Sequence, residues 1–201
     1  MQNRVVDKYI SIVQTEDNPA ATRGFSLALG HLPAKLLAPN RSVVDSVLKC
    51  LCDASRKESL VGGEGDAETR RNAIVSLVKV CTVVGIGGID AALPETYTSP
   101  VFRLTRKQTE QVFGALLDAM EDYNTDRRGD VGSWSRIAAM DGLKTLTNLS
   151  IKASTIFPHS SCQGPAHFVS LDEVIFPSFQ KRVGSMADES TIFQQSLFQA
   201  G

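Results

Sequence analysis

The stretch Asp122–Leu143, DYNTDRRGDVGSWSRIAAMDGL, decides how the fold of this chain is interpreted. A charged loop, Asp126–Asp130, runs directly into an apolar pattern in which Ala139 and Leu143 share one helical face. The only tryptophan, Trp134, stands near the start of that pattern. The stretch therefore predicts a helix that follows a charged loop and carries a large aromatic side chain in its first turn.

Two other stretches are built in the same way, namely Asp66–Leu77 (DAETRRNAIVSL) and Ala21–Leu29 (ATRGFSLAL). Each begins with polar residues, has an arginine in its first two turns, and continues with apolar residues spaced three or four apart. A repeated pattern of this kind is typical of solenoid proteins. The three stretches are therefore interpreted as the inner helices of an α-solenoid.

Apolar residues recur at helical spacing in residues 3–14, 43–52 and 112–123 as well. Together with the inner helices, these stretches predict three antiparallel helical hairpins, which bury their apolar faces by stacking on one another. The repeats are expected to cover residues 1–150. Residues 151–201, which are broken by three prolines, are expected to form a partial further repeat and a poorly ordered tail.

Helix boundaries are marked by residues that cap helices. Asn18 followed by Pro19 predicts one helix start, Asp66 predicts a second, and Thr105 with Gln108 matches a capping box at a third. Gly85 is expected to end the helix that begins after Asp66. The insert between Gly85 and about residue 104 is expected to be irregular.

Composition excludes several classes of function. The 201 residues include 21 basic and 22 acidic residues, so no basic footprint for nucleic acid is expected. No run of about 18 apolar residues is present, and no membrane span is expected. The N-terminal residues do not resemble a signal peptide, so the four cysteines are expected to stay reduced.

Three short motifs suggest chemistry, but a structural interpretation is favoured for each. Gly85–Gly88 lacks the third glycine of a dinucleotide fingerprint and fits the end of a helix. Ser46 and Ser76 each match S-x-x-K, but the companion motifs of serine acylases are absent. Cys50 and Cys52 have no second ligand pair at zinc spacing. The sequence thus predicts no catalytic residue, no metal site and no cofactor.

The chain resembles the C-terminal region of the tubulin-folding cofactor D family, the tubulin-specific chaperones D. The resemblance covers roughly residues 18–150. It is carried by Thr22–Pro33 (TRGFSLALGHLP), Glu68–Ala73 (ETRRNA), Val80–Gly85 (VCTVVG) and, above all, the long and uncommon stretch Asp122–Met140.

The resemblance implies an all-α fold, an α-solenoid of HEAT-like antiparallel helical hairpins. It also implies a cytoplasmic protein that helps to assemble and disassemble the α/β-tubulin heterodimer, with microtubules or the centrosome as candidate sites of association. The implied partners are β-tubulin, the tubulin-folding cofactors C and E, and a small GTPase of the ADP-ribosylation-factor-like group. With these partners the family stimulates GTP hydrolysis by tubulin, and it implies no catalytic residue in this chain.

Two uses of the charged residues remain open, beside the simpler interpretation of a solvated turn. A ridge of arginines on inner helices and their preceding loops could bind an acidic partner such as tubulin. Alternatively, an Asp in a loop and an Arg in an inner helix could link neighbouring repeats. The residues expected to bind a partner are Arg70, Asp122, Tyr123, Asp126, Arg127, Arg128 and Asp130. The residues expected to be structural are Asp66, Arg71, Trp134 and Arg136, with Asp66–Arg71 and Asp130–Arg136 as linking pairs and Trp134 as an anchor of the hairpin core.

Overall fold

A computed structural model describes residues 2–37, 40–56, 66–86 and 104–156. Most of these residues are helical. The helices are α1 (Gln2–Thr15), α2 (Pro19–Gly30), α3 (Ala34–Leu37), α4 (Arg41–Ala54), α5 (Ala67–Val84), α6 (Arg106–Ala119) and α7 (Gly132–Ile156). Two strands, β1 (Thr125–Asp126) and β2 (Gly129–Asp130), precede α7.

The six helices predicted from the sequence are all present, so the expectation of a mainly helical protein is confirmed. The single turn of α3 was not predicted, and α7 continues to Ile156 instead of ending near Ser150. The predicted insert at 87–103 and the predicted tail from residue 157 onward lie outside the described residues.

The predicted caps are confirmed. The side chain of Asn18 accepts a hydrogen bond from the backbone N–H of Ala20, with Pro19 opening α2. Thr105 and Gln108 form the expected capping box of α6. Gly85 ends α5 with φ of +81°, a left-handed conformation that glycine adopts without a steric penalty.

The helices pack in two rows. In one row, α2 contacts α5 and α5 contacts α7; in the other, α1 contacts α4 and α4 contacts α6. Each helix of the first row also packs against its chain neighbour in the second, which gives the pairs α1/α2, α4/α5 and α6/α7. Leucine and valine side chains fill the space between the rows, and they include Leu29, Val44, Leu48, Leu51, Leu77, Leu116 and Leu146.

Small residues allow the first-row helices to approach closely. A Cβ atom at Gly30 of α2 would lie 2.6 Å from the Cα atom of Ser76 in α5. A Cβ atom at Gly142 of α7 would lie 2.7 Å from a methyl group of Val78 in α5. The close packing brings the N-terminal ends of α5 and α7, and the loops before them, near to one another.

Among the helices of the described ranges, none combines the length and the apolar character needed to cross a membrane.

Candidate partner-binding hairpin and ion-pair ladder

A first ion pair links α2 to the start of α5. Arg23 donates from Nε and Nη2 to the two carboxylate oxygens of Asp66, each at 2.7 Å. Asp66 also caps α5, because its Oδ2 accepts from the backbone N–H of Thr69 at 2.8 Å. Burial by itself would raise the pKa of Asp66, but the hydrogen bonds from Arg23 and Thr69 outweigh it and hold the pKa below its usual value.

A second pair links α5 to the loop before α7, and it is buried. Arg70 Nε donates to Asp122 Oδ2 at 2.8 Å, with side-chain exposures of only 2% and 5%. Burial raises the pKa of Asp122, but the hydrogen bonds from Arg70 and from the backbone N–H of Asn124 outweigh it, so the pKa lies below its usual value. Removing either partner would leave a buried charge without its counter-ion, which is costly.

These two pairs correct several expectations. Arg70 and Asp122 were expected to bind a partner, but they are buried against each other and are structural. Asp66 was expected to pair with Arg71, but it pairs with Arg23, and Arg71 instead donates to the side chain of Asn72. The expectation of Asp–Arg pairs between neighbouring helices was therefore right, whereas the choice of Arg71 was wrong. We call Arg23–Asp66 and Arg70–Asp122 the ion-pair ladder.

The loop before α7 is more regular than the sequence suggested. β1 and β2 pair antiparallel, with Thr125 opposite Asp130 and Asp126 opposite Gly129, so Arg127 and Arg128 form a two-residue turn. Gly129 follows the turn with φ of +101°. We call residues 125–130 the arginine hairpin; all six are exposed.

One side of the arginine hairpin is held by Arg128. Its backbone N–H donates to Asp126 Oδ1 at 2.7 Å, and its guanidinium donates to Asp126 Oδ2 at 2.7 and 2.9 Å. The same guanidinium lies over the ring of Trp134, 5.1 Å from its centre. Trp134 is half-buried beneath this cation rather than fully buried, and its expected role as an anchor of the hairpin core stays a prediction. The side-chain hydrogen bonds from Arg128 hold the pKa of Asp126 below its usual value.

The other side is held by Arg136 from α7. Its guanidinium donates to both oxygens of Asp130 and to the backbone carbonyl of Asp122, which confirms the expected Asp130–Arg136 pair. The hydrogen bonds from Arg136 lower the pKa of Asp130. Arg136 also lies over the ring of Tyr123, 4.7 Å from its centre, and 64% of Tyr123 remains exposed.

Arg127, at the tip, differs from its neighbours. It is exposed and forms no ion pair or side-chain hydrogen bond with any other residue of the described ranges. Of the seven residues expected to bind a partner, five lie on the exposed surface around this tip: Tyr123, Asp126, Arg127, Arg128 and Asp130. The arrangement offers a guanidinium and exposed aromatic surface on a backbone that is already ordered.

Glu68 connects the arginine hairpin to the ladder. Its carboxylate lies 2.9 Å from Arg23 Nη1 and 3.5 Å from Arg128 Nη1. Neither Arg23 nor Glu68 was singled out as a site residue, although Arg23 belongs to one of the three repeated stretches. The shared position of an arginine in each stretch was the signal that could have identified Arg23.

The residues of the other motifs lie elsewhere. Ser76 is buried against Gly30, whereas Ser46 is on the exposed side of α4. Burial raises the pKa of Cys50 and of Cys52 to about 12, so both thiols are protonated at neutral pH. Within the part of the chain that the structure describes, no three His, Cys, Asp or Glu side chains are grouped to hold a metal ion.

No protein-family model matches the chain. No solved structure matches it either.

Proposed function

We propose that this chain is a segment of a tubulin-folding cofactor that binds β-tubulin and acts by binding rather than by catalysis. Its work would be to help assemble and disassemble the α/β-tubulin heterodimer in the cytoplasm, together with cofactors C and E and an ADP-ribosylation-factor-like small GTPase. The proposal starts from the resemblance of residues 18–150 to the cofactor D family.

The arginine hairpin is the observation that supports the proposal most strongly. It lies inside Asp122–Met140, the stretch that carries the resemblance best. An exposed turn that is held on both sides by arginine–carboxylate pairs loses little further conformational freedom when it binds, which favours recognition. Arginine, tyrosine and tryptophan are also the side chains that contribute most often to binding energy at protein interfaces.

The fold is proposed to be an α-solenoid with HEAT-like hairpins. Two features support this arrangement: the two rows of helices and the ladder that links neighbouring first-row helices. The exposed apolar surface of α7 supports it as well, because Ile137 and Met140 would contact a further helix of the row.

The proposal is tested by capturing β-tubulin on the immobilised chain. Arg127→Glu and the double variant Arg127→Glu/Arg128→Glu are expected to lose most of the capture. Lys8→Glu is the matched control, because it makes the same charge change at an exposed position on α1. Circular dichroism establishes that each variant remains folded. Capture by Arg127→Glu equal to that of the control would reject the arginine hairpin as the contact.

The alternative is a helical-repeat scaffold that is unrelated to tubulin. Co-purification from a cell extract separates the two, because the scaffold would recover other proteins and no tubulin. Recovery of tubulin together with the cofactors or the small GTPase is the outcome expected here.

A further inference from the structure

We propose that the arginine hairpin binds a carboxylate-rich, extended segment of a protein partner, and that Glu68 competes with this segment for Arg128. The inference deepens the proposed function and rests on it for the location of the binding surface. The bound segment is thereby assigned a chemical class, and Glu68 is identified as an internal residue that limits the affinity of the arginine hairpin for that segment.

The two arginines of the turn, Arg127 and Arg128, differ in their internal contacts. Arg127 has no ion pair in the described chain, so its guanidinium can take a carboxylate without breaking an existing contact. Arg128 uses Nε and Nη2 on Asp126 and turns Nη1 towards Glu68. The tip therefore presents one guanidinium that forms no ion pair within the described ranges, beside a second whose Nη1 is only loosely engaged.

The contact between Arg128 and Glu68 is weak. At 3.5 Å it is longer than a strong charge-assisted hydrogen bond, whereas Arg23 holds the same carboxylate at 2.9 Å. The side chains of Arg128 and Glu68 are 43% and 31% exposed, so water screens their attraction. A partner carboxylate can therefore displace Glu68 from Arg128, while Arg23 keeps Glu68 in place.

The charges around the tip favour a ligand with separate carboxylates over one with a continuous row of phosphates. Asp126, Asp130 and Glu68 surround the two arginines, and they would repel a nucleic-acid backbone that carries a charge at every nucleotide. An extended acidic peptide can direct single carboxylates to Arg127 and to Arg128 Nη1 and leave the acidic neighbours in water. The near balance of 21 basic and 22 acidic residues in the chain agrees with this choice.

The experiment measures binding of a fluorescein-labelled peptide in which glutamates alternate with glycines to the 201-residue chain by fluorescence anisotropy at low salt. Arg127→Gln is expected to weaken binding by about threefold to fivefold, the effect of one exposed charge pair. Glu68→Gln is expected to tighten binding by a similar factor, because Arg128 Nη1 loses its internal competitor. Glu68→Asp, whose carboxylate is set back by one methylene, serves as the second variant and is expected to lie between wild type and Glu68→Gln.

Two matched controls separate local from general charge effects. Asp7→Asn and Lys8→Gln change the same charges at exposed positions of α1 and are expected to leave the affinity unchanged. Equal tightening by Asp7→Asn and Glu68→Gln would overturn the competition. Tighter binding of a single-stranded oligonucleotide or of phosphatidylserine vesicles than of the peptide would overturn the choice of a protein carboxylate.

The two proposals fail in different ways. If the chain captures β-tubulin but Glu68→Gln changes neither capture nor peptide affinity, the competition by Glu68 is wrong and the proposed function stands. If the peptide binds with the expected variant effects but tubulin is not captured, the surface is correct and the identity of the partner is wrong.

Discussion

The buried pair Arg70–Asp122 and the exposed arginine hairpin lie next to each other, yet they use the same residue types for different purposes. Arg70 and Asp122 are withdrawn from water and paired with each other. Arg127 is exposed and forms no ion pair within the described residues. An arginine near a carboxylate in the sequence therefore indicates neither stability nor binding until its burial is known.

The largest effect on stability is expected at the buried pair Arg70–Asp122. Arg70→Ala is expected to lower the free energy of unfolding by about 3–5 kcal/mol, because it leaves the Asp122 carboxylate buried without its counter-ion. Arg127→Ala, the matched exposed change, is expected to alter stability by no more than about 0.5 kcal/mol. Urea unfolding followed by circular dichroism measures both. Similar losses of stability in the two variants would mean that burial does not decide how much each arginine contributes to the free energy of unfolding.

A second effect is expected between α2 and α5, the helices that the first rung of the ladder joins. Gly30→Ala places a methyl group against Ser76 and is expected to cost about 1–3 kcal/mol. Gly24→Ala in the same helix meets no atom within 4 Å and is expected to stabilise by about 0.5–1 kcal/mol. Thermal melts of the two variants should shift in opposite directions. A shared direction would contradict the close approach of the two helices.

The stabilisation that the ion-pair ladder provides should decrease in acid. The pKa values of Asp66 and Asp122 are lower in the folded chain than in the unfolded chain, where the pKa of an Asp is about 4. Their stabilisation is therefore complete above about pH 4 and is lost as the pH falls through the lower folded values. Urea unfolding from pH 7 to pH 3 measures this loss. Asp122→Asn should flatten the curve, and an unchanged slope would argue against a contribution from this carboxylate.

Of the two pairs in the ion-pair ladder, the exposed pair Arg23–Asp66 is expected to contribute less to stability. Arg23 is one-third exposed, so Arg23→Gln should cost no more than about 1 kcal/mol even though Asp66 accepts two hydrogen bonds from it. High salt should reduce this cost, because exposed pairs are screened. A loss as large as that of Arg70→Ala would show that the distance between the charges matters more than their burial.

The helices could be predicted from the sequence because apolar spacing and capping residues are local signals. Asn18 with Pro19, Asp66 and the Thr105–Gln108 box all start helices where they were expected to. α3 escaped prediction because four residues are too few to show a helical period.

The partners of the charged side chains could not be predicted in the same way. Arg70 and Arg71 are adjacent in the sequence, and only the packing of α5 decides that Arg70 meets Asp122 while Arg71 lies outside. Trp134 illustrates the same limit, because its ring could fill the core or lie under a cation, and its place depends on where Arg128 lies. The two short strands that flank the Arg127–Arg128 turn were also missed, since Arg-Arg is not a common pair in two-residue hairpin turns.

The proposed contact is tested most sharply by measuring β-tubulin capture and the free energy of unfolding on the same preparation of Arg127→Glu. Capture is expected to be lost while the free energy of unfolding stays within about 0.5 kcal/mol of wild type. Full capture by this folded variant would show that the arginine hairpin is not the contact with β-tubulin.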